Sequence, residues 1–175
     1  MMYGYSPSYL KRCIRRLEEL DAPKEEWRCE YVTDVADEDE DIVEYETCQL
    51  CNCPRVRFVH HMKHRAYPKI LDVGCECAGL LEGDVLEAME RERKLSNTAQ
   101  RRSRFLKRIW CKRNGHYSTT YHGLLIEILT IWKSGYWVRA CGKIVKEYKG
   151  KPITRLRDAG RAAFELVDPI IQEGK

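Results

Sequence analysis

Two close pairs of cysteines, Cys48 with Cys51 and Cys75 with Cys77, bracket a stretch that carries His60, His61 and His64. A CxxC pair and a CxC pair can each grip one ion without straining the backbone. The 23 residues between Cys51 and Cys75 suit a loop that returns to its start and closes a tetrahedral cage. Thiolates at about 2.3 Å are the donors of a structural zinc site, so zinc is the expected cofactor and Cys48, Cys51, Cys75 and Cys77 its expected ligands. Cys53, His60, His61 and His64 are possible substitutes, each more readily explained as structural because the two outer pairs already complete four-coordination.

The other cysteines bear on location. The chain has 175 residues and nine cysteines, an odd number that cannot pair completely. Its start, MMYGYSPSYLKR, lacks the apolar stretch of a secretory signal, and no apolar run approaches the ~20 residues needed to cross a bilayer. The expectation is a cytoplasmic protein with free thiols and no membrane partner. Cys13, Cys29, Cys111 and Cys141 have no partner at ligand spacing and are expected to tolerate serine.

Around the cysteine segment, Ser6, Pro7 and the apolar spacing of Leu10, Cys13, Ile14, Leu17 and Leu20 predict a helix over residues 7–20. A strand is expected within 27–35. Residues 34–46 then carry eight acidic side chains and no Lys or Arg, which reads as a solvated loop. Val56, Phe58 and His60 alternate as in a strand, residues 68–73 predict a second, and a helix is expected from about Gly83-Asp84. Knuckle, hairpin, second pair and helix is the order of a zinc-ribbon or treble-clef-like module.

From 84 to 112 the pattern is helical, with an interruption expected at Ser96-Asn97. Between Arg91 and Arg113 stand ten Lys or Arg and one acid, Glu92. Arg101, Arg102, Arg104, Lys107 and Arg108 are expected to cover a broad face opposite Phe105 and Ile109, and with Lys112 and Arg113 they are candidate nucleic-acid contacts. Strand-like runs follow over 117–121, 124–132, 136–141 and 143–148, separated by glycine-containing breaks, and a helix over 154–167 capped by Thr154. The expected class is α+β: the cysteine module, a basic helix, and a small antiparallel sheet plus C-terminal helix. The segments are 1–47, 48–83, 84–113 and 114–175.

Charge separates the two ends. Residues 1–90 hold 11 Lys or Arg against 20 Asp or Glu, and residues 91–175 hold 20 against 7. The basic half suggests an anionic partner, nucleic acid being the commonest, unless it neutralises the acidic half. The acidic run could also mimic nucleic-acid charge or shield the basic half.

Two resemblances add expectations. The phrase YWVRACGKIVKEYKG and the order of strands before a helix resemble the sheet-plus-helix domains with which integrases and AP2-type regulators lay a sheet in the major groove. That resemblance implies DNA contacts from Arg139, Lys143, Lys146 and Lys149, with Trp132 and Trp137 in the core. CxxC, VRFVHHMKH, YP and VGCECAG, then an Arg-rich helix ending in Trp and an AAF helix, resemble a family of small bacterial and phage proteins over residues 48–165. This resemblance implies a zinc-binding module but transfers no activity. Cys53 and the doubled histidine depart from that pattern.

The expected function is a zinc-stabilised, non-catalytic accessory protein, of a mobile element or defence-related locus, that binds DNA or RNA or a nucleic-acid-processing protein. A protein-binding inhibitor or adaptor is the alternative. His60-His61 between the cysteine pairs also resembles the layout of HNH nucleases, in which one His activates water and another holds metal. Against that stand the CxC spacing and the Ala78-Gly79 that follow Cys77 in place of a metal-binding His. No P-loop, nucleophile elbow or HExxH is present.

Overall fold

Helix α1 (Pro7–Glu19) starts where Ser6 Oγ accepts the Tyr9 N–H at 3.2 Å and Pro7 fills the first turn. Its apolar stripe buries Cys13 and Leu17. These features come from a computed structural model that describes residues 5–36 and 44–174. Most of the acidic run, residues 37–43, lies outside them. The chain divides into two units, residues 1–99 and 100–175.

In the first unit, β1 (Arg28–Asp34), β2 (Phe58–His64) and β3 (Tyr67–Val73) form an antiparallel sheet in the order β1-β2-β3. The strand between two neighbours is the most buried: Phe58, Val59, His60, Met62 and His64 are all inside. Helix α2 (Cys75–Glu82), which the sequence did not suggest, begins directly at the second cysteine pair, and the helix expected from about Gly83-Asp84 follows it. Gly83 is the left-handed C-cap of α2. Asp84 Oδ1 then accepts the Glu87 N–H at 3.0 Å and opens α3 (Val85–Leu106). The core joins Cys13 and Leu17 of α1, Leu50, Val59, Met62, Leu71 and Val73 near and within the sheet, Ala78 and Leu81 of α2, and Ala88 of α3.

Helix α3 runs through Ser96-Asn97 without a break. Ser and Asn cost a helix interior only about half a kcal/mol each, too little to interrupt flanking helix formers. The helix stops at Leu106, and Lys112 and Arg113 belong to β4 (Cys111–Arg113), a strand where a helix end was expected.

The second unit is a meander of β4, β5 (His116–Tyr121), β6 (Leu124–Ile131), β7 (Gly135–Ala140) and β8 (Lys143–Val145), hydrogen-bonded in sequence order. Asn114-Gly115, His122-Gly123 and Cys141-Gly142 turn it, each pair at positive φ, the geometry that suits the twist of a two-residue hairpin. A small ribbon, β9 (Glu147–Tyr148) with β10 (Lys151–Pro152), leads to α4 (Leu156–Glu173). Arg155, not Thr154, is its N-cap, and the helix passes through Pro169 because Ile171 beyond it is still buried. Ile126, Ile128, Val138 and Ala140 meet Ala159, Ala163, Phe164 and Val167 of α4, with Phe105 in the same cluster. The fold is therefore α+β, with four helices and antiparallel sheets of three, five and two strands among the described residues. No helix among them is long and apolar enough to cross a membrane.

Gly135 sits at φ 93°, and a Cβ there would stand 2.2 Å from the carbonyl oxygen of Ile153, which accepts the Tyr136 N–H at 2.8 Å. Both the strained φ and the backbone clash oppose a side chain. Gly135→Ala is expected to destabilise the chain by about 2 kcal/mol or more, read as a lower urea midpoint. An unchanged midpoint would mean that the Ile153 strap is loose.

Candidate metal centre

Residues 48–53 form a tight knuckle. The Asn52 N–H donates to Cys48 O at 2.9 Å, the Cys48 N–H donates to Cys53 O at 2.8 Å, and Asn52 takes a left-handed φ of 59°. Leu50 is fully buried beneath the turn. The knuckle is tied to β3 through the Gln49 N–H to Asp72 O at 2.9 Å and the Asp72 N–H to Gln49 Oε1 at 3.0 Å. This fixes the first cysteine pair against the end of the hairpin that leads into α2.

The sulfurs of Cys48, Cys51 and Cys77 lie within 4.8 Å of one another and can hold a metal ion. Cys48 and Cys77 are both about 1% exposed. The Cys48 thiol is pulled down to about 5, first because Cys77 hydrogen-bonds to it and then, against burial, because backbone N–H groups of the knuckle point at it, that of Cys51 at 3.5 Å. Cys77, sharing that proton and buried, is pushed up. One thiolate steadied by a neighbouring thiol is a site half prepared for a cation. Tyr9 Oη lies 2.9 Å from Cys77 Sγ, where either group can donate, and burial together with that sulfur pushes the phenol up.

Cys75 does not join this trio. It is grouped with His60 and Glu92, whose donor atoms also lie within 4.8 Å of one another and can hold an ion. The reason is the early start of α2: two positions apart on a helix lie about 200° apart around the axis, so Cys75 and Cys77 diverge. Cys13, assigned by the sequence to a core without metal partners, is fully buried beside the trio. Its thiol is raised by burial, against hydrogen bonds with Tyr9 and Cys77 that lower it, and it senses the charge of Cys48.

The substitute ligands separate cleanly. Cys53 is exposed. His61 is held by Asp72 Oδ1 at 2.6 Å and Thr33 Oγ1 at 2.7 Å, with Tyr31 stacked on its ring. His64 Nδ1 accepts the Ala66 N–H at 3.0 Å and packs on Trp27. Only His60 reaches a cluster, and because adjacent strand residues point to opposite faces, His60 and His61 do not share an ion. His60 is fully buried, its Nε2 makes no hydrogen bond, and Glu92 Oε2 stands 3.6 Å from it. An unsatisfied buried polar atom costs about 1–3 kcal/mol.

The basic candidates of the second unit also divide. Arg101 donates twice to Asp168, each bond 2.8 Å, and Arg102 is buried, so neither presents its charge outward as the sequence suggested. Ile109, expected on the apolar face, lies beyond the helix and is 93% exposed. Arg104, Lys107, Arg108, Lys112 and Arg113 are exposed. Arg108 donates to Thr120 O at 2.7 Å and covers the Tyr121 ring, and Lys112 lies over Tyr117. Arg139 bonds Glu127 at 2.7 Å; Lys143, Lys146 and Lys149 are exposed, Lys146 lying 4.2 Å from the Trp137 ring centre. Trp137 is half-buried and Trp132 is 85% exposed, which corrects the expectation of a core position for Trp132.

Two participants could have been sought in the sequence. Glu92 is the one acid in the basic stretch, and Cys13 is the one polarizable sulfur on the apolar stripe of α1. Comparison of the chain with family models, curated proteins and solved structures finds no match.

Proposed function

We infer that this chain is a zinc-stabilised protein that binds nucleic acid through its second unit. Zinc is the ion that suits a buried cluster of thiols. Cys13 is our choice for the fourth ligand beside Cys48, Cys51 and Cys77, since it shares hydrogen bonding with Cys77 and is fully buried. Tyr9 would then donate its O–H to the Cys77 thiolate and orient it. Knuckle, β2–β3 hairpin and a helix with Cys77 in its first turn follow the order of a treble clef.

The observation that carries the nucleic-acid reading is charge: residues 100–175 contain 17 Lys or Arg against 6 Asp or Glu. Arg104, Lys107, Arg108, Lys112 and Arg113, all exposed, follow one another from the end of α3 into the edge strand β4. Cations stacked on Tyr117, Tyr121 and Trp137 put π faces beside the charge, a chemistry that accepts phosphates and unpaired bases together.

A salt titration with random DNA and RNA tests the reading. The observed association constant is expected to fall steeply with salt. The combined Lys107→Glu, Lys112→Glu and Arg113→Glu variant is expected to flatten the logarithmic slope by about one for each phosphate that it no longer neutralises, with folding intact. Absence of binding at low salt would overturn the reading and leave the protein-binding adaptor in its place.

A further inference from the structure

We propose that His60, Cys75 and Glu92 form a second metal site, chemically unlike the thiol cluster: a three-donor centre for a zinc-class divalent ion with one coordination position open to an exchangeable ligand. Each donor comes from a different element: His60 from β2, Cys75 from the first position of α2 and Glu92 from α3. Glu92 is the single carboxylate between Arg91 and Arg113, yet it turns toward a buried imidazole and a thiol.

The independent sign of a ligand is His60. It is fully buried, its Nε2 has no hydrogen-bond partner, and that atom is the one facing Glu92 at 3.6 Å. Nitrogen and oxygen donors about 2.0–2.1 Å from a tetrahedral ion stand about 3.3 Å apart, so the observed separation needs little change to admit one. On the other side of the ring, Nδ1 lies 3.9 Å from Cys29 Sγ, a weak contact, and with the ring proton on Nδ1 the unpartnered Nε2 is the ligating atom. Imidazole, thiolate and carboxylate together carry two negative charges, which a divalent ion balances.

The open position follows from what surrounds the donors. Cys75 and Glu92 line a cleft of about 820 Å³ together with Tyr5, Tyr9, Arg12 and Arg93, whereas His60 closes the site from within. Three protein donors and access to solvent are the arrangement of zinc sites that keep a water, in contrast to closed four-thiolate sites. The site stands independently of nucleic-acid binding and of the ligand set of the thiol cluster.

Cobalt(II) titration of the metal-free full chain tests it. The wild type is expected to take up two equivalents, and Glu92→Gln, His60→Ala and Cys75→Ser each one, with the residual visible spectrum that of a thiolate-rich site. Glu92→Gln keeps the volume and the helix, and circular dichroism reports folding of every variant. Adding azide is expected to change the d–d bands of the wild type and not those of Glu92→Gln. A wild-type uptake that Glu92→Gln and Cys75→Ser both leave unchanged, or bands indifferent to azide, would overturn the open second centre.

Discussion

Cys77→Ser is expected to strip the first unit of the zinc proposed for its thiol cluster and to unfold it. A structural zinc supplies on the order of 10 kcal/mol of folding free energy in small modules, comparable with the whole stability of a domain. Cys77 is the member that joins the knuckle to α2, so its loss removes the ligand that spans the hairpin. Metal content and far-UV circular dichroism check the result. Cys13→Ser is expected to weaken zinc binding as well, whereas Cys53→Ser and Cys111→Ser, at exposed positions, are expected to change stability by less than about 0.5 kcal/mol. A Cys77→Ser protein that stays folded with the metal content of the wild type would show that the cluster is only a set of core thiols.

Arg101→Ala is expected to destabilise the second unit by about 3 kcal/mol while changing the proposed nucleic-acid affinity little once folding is accounted for. The substitution leaves the carboxylate of Asp168, 8% exposed, without the guanidinium that grips both its oxygens. A buried charge that loses its partner costs about 3–5 kcal/mol, and the lower end applies because Gln172 still donates to Asp168 at 3.3 Å. The pair also holds the Arg101 charge firmly on, since the hydrogen bond to Asp168 raises its pKa. Replacing both residues, Arg101→Met with Asp168→Leu, is expected to recover most of the loss. Urea denaturation of the three variants measures this, and an Arg101→Ala protein as stable as wild type would mean that solvent reaches Asp168.

The sequence is most legible where one local rule decides the outcome. Ser6-Pro7 and the stripe through Cys13 and Leu17 place α1, and alternation with X-Gly turns places β5 to β7 nearly to the residue, whereas the single strand expected over 143–148 is split into β8 and, in a separate ribbon, β9. Asn114-Gly115 carries the same hairpin signal, but the basic residues before it continue a helical pattern, which hides β4. The cysteine segment is legible as a group of side chains that can hold a metal ion and illegible in its wiring. Spacing says that Cys75 and Cys77 are close along the chain, yet whether they point at one ion depends on the backbone between them, and a helix starting at Cys75 turns them apart. Cys13 and Glu92 lie 35 residues before Cys48 and 15 after Cys77, and only tertiary packing brings them to the clusters. Arg101 shows the same limit for charge, since the partner that turns it inward lies on the last helix.

Zinc X-ray absorption on the purified Cys75→Ser chain addresses the thiol cluster without interference from the second group. The expected result is one zinc per chain in a shell of sulfur alone, at about 2.3 Å. A folded chain containing no zinc, or a shell dominated by nitrogen and oxygen, would contradict a zinc centre built on Cys48, Cys51 and Cys77.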